Sequence, residues 1–185
     1  MTAEPAAQVQ KTAPFNAVAL DFETAHYAAD SACALGLAKI EGSSITQTWY
    51  HRIRPPKNQV LFTEIHGLTW AMLHDQPCFA DLWQDIAQFI AGADYLIAHN
   101  ASFDRRVLYA CCKAAGIEHP RTPFCCTLQG ARKSLPLTSR KLNVVCNHYG
   151  IALDHHNAAS DAHAAAAIFL RLRAAGVPLS TLRLR

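Results

Sequence analysis

The sequence predicts a single α/β domain in which helices flank a mixed β-sheet. Its 185 residues fit one domain of ordinary size. Apolar residues make up 51% and charged residues 17%, a composition typical of a folded chain. Three strand-like segments come first, and strands and helices then alternate, which indicates a mixed sheet with covering helices. Residues 1–13 are aperiodic and are predicted to form a flexible tail, so the folded domain is expected at 14–185.

The first three predicted strands follow one another directly. Residues 15–23 are apolar up to Leu20 and then acidic, as expected for a central strand that ends at a polar edge. Residues 32–41 and 44–53 predict two more strands. The short Glu41-Gly42-Ser43 connection between them predicts a hairpin.

Predicted helices and strands alternate in the second half of the chain. Apolar residues at helical spacing predict a helix at 79–90, and a short apolar run at 95–98 predicts a buried strand. Ser102 is expected to cap the helix that follows. The remaining predicted elements are helices at 103–115, 129–133, 141–149 and 159–174 and a fifth strand at 124–128.

Asp21 and Glu23 form the first candidate site. Side chains two apart on a strand point to the same face, so both carboxylates are expected to project together from the end of a buried strand. Their mutual repulsion is costly, and a divalent cation with a preference for oxygen ligands removes it. An acidic strand end exposed to water is the ordinary alternative.

Two further acids begin predicted helices. Asp104 follows the strand at 95–98, at a strand-to-helix turn where open α/β sheets place their sites. Asp161 is in register with apolar residues four, seven and eleven positions on, so it is predicted to face the sheet. For both, favourable interaction with the helix dipole in a first turn is the alternative explanation.

His156 lies five residues before Asp161 and is the candidate general base. A neutral imidazole with a pKa near about 6.5 suits proton transfer at neutral pH. The loop ahead of the last predicted helix is expected to hold this ring over a metal bound partly by Asp161.

The net charge and the cysteine content restrict the classes of protein that the sequence could represent. A net charge of +3 permits an anionic partner without requiring one. The seven cysteines lack a Cys-x-x-Cys pair, which argues against a zinc site and favours reduced, buried thiols. No apolar run approaches the roughly 20 residues of a membrane span, and no secretory signal is evident, so a cytoplasmic protein without membrane contact is expected.

Four segments in order resemble one known family. They are LDFET with Asp21 and Glu23, IHGLT at 65–69, HNASFD ending in Asp104, and the His156-x4-Asp161 spacing. Together they resemble the DEDDh exonucleases of the DnaQ-like superfamily, which includes the polymerase III proofreading subunit and RNase T. The segments DFETA and HNASFDRRVL look most similar to the epsilon-like and exonuclease-X-like members.

The resemblance implies a ribonuclease H-like fold with a five-stranded mixed sheet flanked by helices. It implies that the four acids hold two Mg²⁺ or Mn²⁺ ions and that His156 deprotonates the attacking water. The implied activity is 3′-5′ hydrolysis of DNA, at single-stranded ends, with release of nucleoside 5′-monophosphates and a role in DNA repair.

By the same resemblance, five residues are expected to bind the terminal nucleotide: Phe22, Thr24, His66, Asn100 and Phe103. Packing in the core is the alternative for the two phenylalanines. A basic stretch formed by Arg132, Lys133, Arg140 and Lys141 is expected either to follow the strand backbone or to form a solvated face.

Three rival functions stay open at the level of sequence. RNA 3′-end trimming would use the same residues on another substrate. A catalytically silent, polymerase-associated nucleic-acid-binding module is the second rival, and a zinc protein that uses Cys and His is the third. A homodimer and a DNA polymerase partner are both left open, and the sequence supports neither.

Overall fold

A computed structural model of the protein describes residues 15–184, so the tail predicted at 1–13 lies outside the described residues. The strands are β1 (Asn16–Thr24), β2 (Ala32–Glu41), β3 (Ser44–Arg52), β4 (Tyr95–Ala98) and β5 (Phe124–Cys126). The helices are α1 (Thr63–His66), α2 (Trp70–Leu73), α3 (Phe79–Ile90), α4 (Ala101–Ala114), α5 (Thr127–Ser134), α6 (Leu142–Tyr149), α7 (Ala158–Ala174) and α8 (Leu179–Leu182). Within the described residues, no helix is long and apolar enough to cross a membrane.

The five strands form one mixed sheet in the order β3-β2-β1-β4-β5. The pairs β1–β2 and β2–β3 are antiparallel, whereas β1–β4 and β4–β5 are parallel. The predicted five-stranded mixed sheet is therefore confirmed. The parallel arrangement brings the carboxyl ends of β1, β4 and β5 to the same edge of the sheet, and this edge carries the candidate site.

Strand β1 is buried on both faces because helices cover each side of the sheet. Val18 and Leu20 pack in the cluster that contains residues of α3 and α4. Ala17 and Ala19 point the other way, into the cluster formed with α5, α6 and α7. Asp21 lies on the same face of β1 as Ala17 and Ala19, so its carboxylate points to the side of the sheet that α7 covers.

Helix α7 approaches the sheet closely because small residues meet at its first turn. A Cβ atom at Gly36, on β2, would lie 2.0 Å from the carbonyl oxygen of Ala158. Such a distance is well inside van der Waals contact, so only glycine fits there. Gly36 is the register partner of Asp21, and the contact therefore places the start of α7 beside the acidic end of β1.

The predicted cap of α4 was wrong, and three short helices were not predicted. The helix α4 begins at Ala101, and its N-cap is Asn100 in the left-handed region at φ 78°, whereas Ser102 lies inside the first turn. The hydroxyl of Ser102 donates to Oδ1 of Asn100 over 3.3 Å. The four-residue helices α1, α2 and α8 were also not predicted, since one helical turn is too short to show periodicity.

Candidate active site

Four acids from three elements meet at the carboxyl edge of the sheet. Asp21 and Glu23 lie on β1, Asp104 lies in the first turn of α4, and Asp161 lies in the first turn of α7. Asp104 and Asp161 are only 1% and 3% exposed. Carboxylates this buried are unusual without a partner of opposite charge, so their meeting requires an explanation beyond packing.

Three of the acids approach one another closely. Asp21, Glu23 and Asp161 each place one carboxylate oxygen within 4.8 Å of the others. Asp104 is not part of this triplet. Its Oδ1 atom accepts a hydrogen bond of 3.1 Å from the backbone N–H of Phe22, which ties the start of α4 to β1 between the two strand acids.

Burial raises the pKa of every member of the cluster, and repulsion between carboxylates adds to the shift for Asp21, Glu23 and Asp104. Burial is the largest cause for Asp21, and the charges of Asp104, Asp161 and Glu23 add to it. Together they hold the pKa of Asp21 well above its usual value. Burial and the charges of Asp161 and Asp104 raise the pKa of Glu23 to about 8. Burial raises the pKa of Asp104 to about 7 although the Phe22 N–H opposes the shift. The folded chain thus holds these acids where a negative charge is unfavourable unless a cation is present.

The two oxygens of Asp161 have different environments. Its Oδ2 atom lies 3.1 Å from Nδ1 of His155 and accepts the backbone N–H of His156 over 3.1 Å. Its Oδ1 atom is buried and has no hydrogen-bond partner among the described residues. A buried acceptor without a partner is costly. A buried carboxylate oxygen without a donor, on a residue that lies beside two other carboxylates, fits a divalent metal ion such as Mg²⁺ or Mn²⁺.

His156, the candidate base, lies at the mouth of the site. Its backbone is left-handed at φ 70°, and its ring stacks on the ring of His155 with centroids 3.9 Å apart and planes 13° apart. Burial and the neighbouring His155 lower the pKa of His156, which Asp161 partly opposes. The ring is therefore neutral at neutral pH and has a nitrogen available to accept a proton.

His66 lines the same cleft as the acids and His156. The backbone N–H of Leu68 donates to its Nδ1 over 3.0 Å, so the proton of the neutral ring is on Nε2. That nitrogen lies 3.3 Å from the carbonyl oxygen of Thr24 and 3.7 Å from the sulfur of Cys33. These contacts fix the ring orientation beside the end of β1, while Gly67 turns the chain after α1 at φ 72°.

A cleft of about 1010 Å³ extends from the acids, large enough for a nucleotide. All five predicted nucleotide-binding residues line it: Phe22, Thr24, His66, Asn100 and Phe103. The side chain of Phe22 also belongs to the core, as the alternative interpretation held, and Phe103 packs against the same cluster. Of the predicted basic stretch, Arg132, Arg140 and Lys141 line the cleft, and Lys133 does not.

The structure adds cleft residues to which the sequence analysis gave no binding role. Phe62 and Ile65 form the wall next to His66, and Ile65 is 52% exposed. His99, the first residue of the HNASFD segment, joins two parts of the cleft lining. Its Nδ1 lies 2.9 Å from the hydroxyl of Thr127, and its Nε2 lies 2.9 Å from the carbonyl oxygen of Arg140. Burial lowers the pKa of His99 to about 4, so the ring is neutral at neutral pH. Its two hydrogen-bond contacts link the loop that contains Arg140 to the end of β4.

The cysteines do not contribute to a metal site among the residues that the structure describes. Both groups of side chains spaced to hold an ion consist of histidine and carboxylate alone. Six of the seven cysteines are buried and all seven are free thiols, with burial raising the pKa of Cys111 to about 12. A neutral buried thiol is a poor metal ligand, so the zinc alternative has no support in the described residues.

Comparison with known proteins gives sequence relatives that share one domain with this chain. The family model described as Exonuclease matches residues 18–169. The chain is 34% identical over 141 residues to the PolC-type DNA polymerase III of Oceanobacillus iheyensis, covering 74% of this chain and 10% of that protein. It is 29% identical over 150 residues to the DNA polymerase III subunit epsilon of Pasteurella multocida, covering 75% of this chain and 59% of that protein. The chain thus spans only part of either relative.

Solved structures with the same fold include nucleases bound to DNA and to a nucleotide. Exonuclease X in complex with 5′ overhanging duplex DNA aligns with a TM-score of 0.71 at 21% identity, over 90% of this chain and 96% of that one. The nuclease domain of 3′hExo, a DEDDh family member bound to rAMP, aligns with a TM-score of 0.78 at 14% identity, over 94% and 98%. At these identities the likeness shows the fold, and it confirms the ribonuclease H-like prediction.

Proposed function

Because the chain belongs to the Exonuclease family, we propose that it hydrolyses the terminal phosphodiester at the 3′ end of a nucleic-acid strand and releases a nucleoside 5′-monophosphate. Family membership also confirms the predicted resemblance to the DnaQ-like exonucleases. The proposal rests on one observation above all. Three carboxylate oxygens lie within 4.8 Å of one another at the floor of a cleft of nucleotide size, and Oδ1 of Asp161 is buried there without a partner among the described residues.

Asp21, Glu23, Asp104 and Asp161 are proposed to hold the two divalent ions, Mg²⁺ or Mn²⁺. When bound, such ions supply Lewis-acid activation of water and of the phosphodiester. Asp104 is oriented by the N–H of Phe22, and Asp161 by the donors at its Oδ2 atom. The chain therefore fixes its ligands before the metal arrives, which reduces the reorganisation that catalysis requires.

His156 is proposed to take the proton from the attacking water. Its ring lines the cleft beside the acids, and its lowered pKa keeps it unprotonated at neutral pH. General-base catalysis contributes roughly 100-fold to 10,000-fold in rate. Replacement of this ring is expected to lower kcat with little change in KM, since the base acts in the chemical step.

The walls of the cleft are proposed to bind the 3′-terminal nucleotide and its phosphates. Phe103 and the exposed Ile65 offer apolar surface for a base, and stacking of a base on an aromatic ring is worth about 1–3 kcal/mol. Arg140 and Lys141 also line the cleft, where cationic side chains would attract the strand backbone. Thr24, His66 and Asn100 complete the proposed nucleotide pocket.

DNA, with single-stranded 3′ ends, is the proposed substrate because the sequence relatives are DNA polymerase III proteins. RNA trimming is the competing substrate assignment, since the nucleotide bound to 3′hExo is rAMP. A polymerase partner, a homodimer, the cytoplasmic location and the role in DNA repair stay predictions from the sequence.

The direct experiment compares oligonucleotides labelled at the 5′ end or the 3′ end, as DNA and as RNA, with Mg²⁺ and with EDTA. The proposal predicts stepwise shortening of the 5′-labelled DNA strand, release of labelled mononucleotide from the 3′-labelled strand, and no reaction in EDTA. Faster shortening of RNA would reassign the substrate. Absence of Mg²⁺-dependent cleavage on every substrate would overturn the proposal and leave the catalytically silent binding module as the alternative.

A further inference from the structure

Two adjacent histidines precede α7, and the structure gives them different roles. The sequence spacing singles out His156, yet the imidazole that contacts Asp161 is that of His155, with Nδ1 3.1 Å from Oδ2. Within the described residues, the hydrogen bond from His156 to the same oxygen comes from its backbone N–H. We propose that His155 is a positioning residue that orients both the carboxylate of Asp161 and the ring of His156; this inference rests on the function proposed above.

The contact with Asp161 decides which of its two carboxylate oxygens is left without a donor. A carboxylate only accepts, so Nδ1 of His155 carries the hydrogen of this bond. The backbone N–H of His156 donates to the same oxygen, so both donors to Oδ2 come from the loop before α7. The other oxygen, Oδ1, is left buried and free of partners among the described residues. His155 thereby holds Asp161 in the rotamer in which one oxygen is available to a metal ion.

The contact with His156 is made through the face of the ring. The two imidazoles are nearly parallel, with centroids 3.9 Å apart. His156 has a left-handed backbone, which a residue other than glycine adopts only when its surroundings hold it there. The stacked His155 ring supplies one such restraint, and it limits the directions in which the His156 ring points into the cleft.

Hydrogen bonds hold the loop backbone both before and after the two histidines. The side chain of Asn157 caps α7 by accepting from the N–H groups of Ala159 and Ser160. The hydroxyl of Ser160 in turn accepts from the N–H of Asp154 over 2.8 Å. The loop backbone is therefore fixed independently of His155, whose side chain is 35% exposed. Substitution of His155 is expected to leave the fold intact and to change only what its ring touches.

Two substitutions separate the two contacts. His155→Asn keeps an N–H donor near the position of Nδ1 and removes the ring face. His155→Phe keeps the ring face and removes the donor. His163→Asn is the matched control, because His163 is an exposed residue of α7 and lies outside the cleft. Melting temperature, Mn²⁺ affinity measured from the EPR signal of free Mn²⁺, and kcat and KM on a single-stranded oligonucleotide are measured for each.

His155→Phe is expected to weaken Mn²⁺ binding about tenfold, the lower end of the effect of losing a hydrogen bond to a metal ligand. His155→Asn is expected to retain Mn²⁺ affinity within about twofold while kcat falls about tenfold at unchanged KM, because the His156 ring loses its support. The control should match the parent protein in all three measurements.

Unchanged Mn²⁺ affinity in His155→Phe would overturn the link to Asp161. A kcat loss in His155→Asn as large as in His156→Ala would overturn the positioning role and make His155 itself the base. If the parent protein cleaves no nucleic acid, the proposed function fails, but the Mn²⁺ measurement still tests the contact between His155 and Asp161.

Discussion

The two ends of α7 bury side chains of opposite kinds. Toward its C-terminal end, Ile168, Phe169 and Leu172 lie in an apolar cluster and are at most 1% exposed. At its N-terminal end the same sheet-facing stripe buries Asp161 against two other carboxylates. One end stabilises the fold by removing apolar surface from water, and the other end destabilises it by confining like charges.

This difference indicates what the N-terminal end is for. A helix that needed only to cover the sheet would continue its apolar stripe to the first turn. The chain instead places an acid there and uses Gly36 to bring that acid close to β1. Stability is given up at a single point where a divalent cation, when bound, restores the electrostatic balance. The position of the acids therefore supports the metal site proposed above.

Asp161→Asn changes the N-terminal end without changing its shape and has the largest expected effect. The donors at Oδ2 require the oxygen of the new amide, so its NH₂ group faces the metal position. The rate of cleavage is expected to fall roughly 1000-fold or more. Loss of metal binding removes several kcal/mol of transition-state stabilisation, and each ~1.4 kcal/mol is a factor of ten in rate. Single-turnover nuclease assays measure this loss. The variant should also melt at a higher temperature than the parent protein in EDTA at pH 8, and a lower one would contradict the cost assigned to the buried charge.

Leu172→Ala alters the C-terminal end and should produce the opposite pattern. Leu172 is fully buried, so truncation is expected to reduce the free energy of unfolding by about 2–5 kcal/mol. Denaturant unfolding measures this change. At a temperature where the variant is folded, its Mn²⁺ affinity and kcat should equal those of the parent protein. A loss of metal affinity there would show that the two ends of α7 are not independent.

Gly36→Ala tests the contact that connects the core to the site. The added methyl would overlap the carbonyl group of Ala158, so the start of α7 must move away from β2. Overpacking of this kind costs about 1–3 kcal/mol of stability. A displacement near 1 Å also lowers catalysis roughly 100-fold. Full activity together with reduced stability would mean that Asp161 reaches its position without this close approach.

The pH dependence of stability in EDTA is the smallest expected effect. The pKa of Glu23 is raised to about 8 and that of Asp104 to about 7, whereas both acids titrate near about 4 in the unfolded chain. Their contribution to stability is therefore complete below about pH 4 and is lost as the pH rises toward 8. Melting temperatures of the parent protein and of Glu23→Gln, compared from pH 5 to pH 8, isolate this contribution from that of the histidines. The gap between the two proteins should widen in favour of the variant as pH rises in EDTA and should close with Mg²⁺.

Much of this architecture was predictable because it follows from local patterns. The apolar spacing at Phe79–Ile90 and the short run at Tyr95–Ala98 gave both elements with their observed bounds. The alternation of strands and helices predicted the mixed sheet, and four ordered motifs predicted which acids meet. The burial of Asp161 followed from its helical register with Leu172.

The remaining features depend on contacts between distant parts of the chain. Nothing near His99 indicates that Arg140, 41 residues later, accepts its hydrogen bond. The sequence places His155 and His156 side by side, and it does not reveal that the backbone of His156 is left-handed or that the ring of His155 is the one that touches Asp161. Asn100 replaced Ser102 as the cap because the chain turns through a left-handed residue at the end of β4, where asparagine is tolerated.

A crystal structure of the protein soaked with Mn²⁺ and a nucleoside 5′-monophosphate tests the central claim most directly. Anomalous scattering would locate the metal. Two manganese peaks are predicted among Asp21, Glu23, Asp104 and Asp161, with Oδ1 of Asp161 as a ligand and the nucleotide phosphate alongside. Carboxylates that stay free of manganese at saturating concentration, while the nucleotide occupies the cleft or binds elsewhere, would contradict the account.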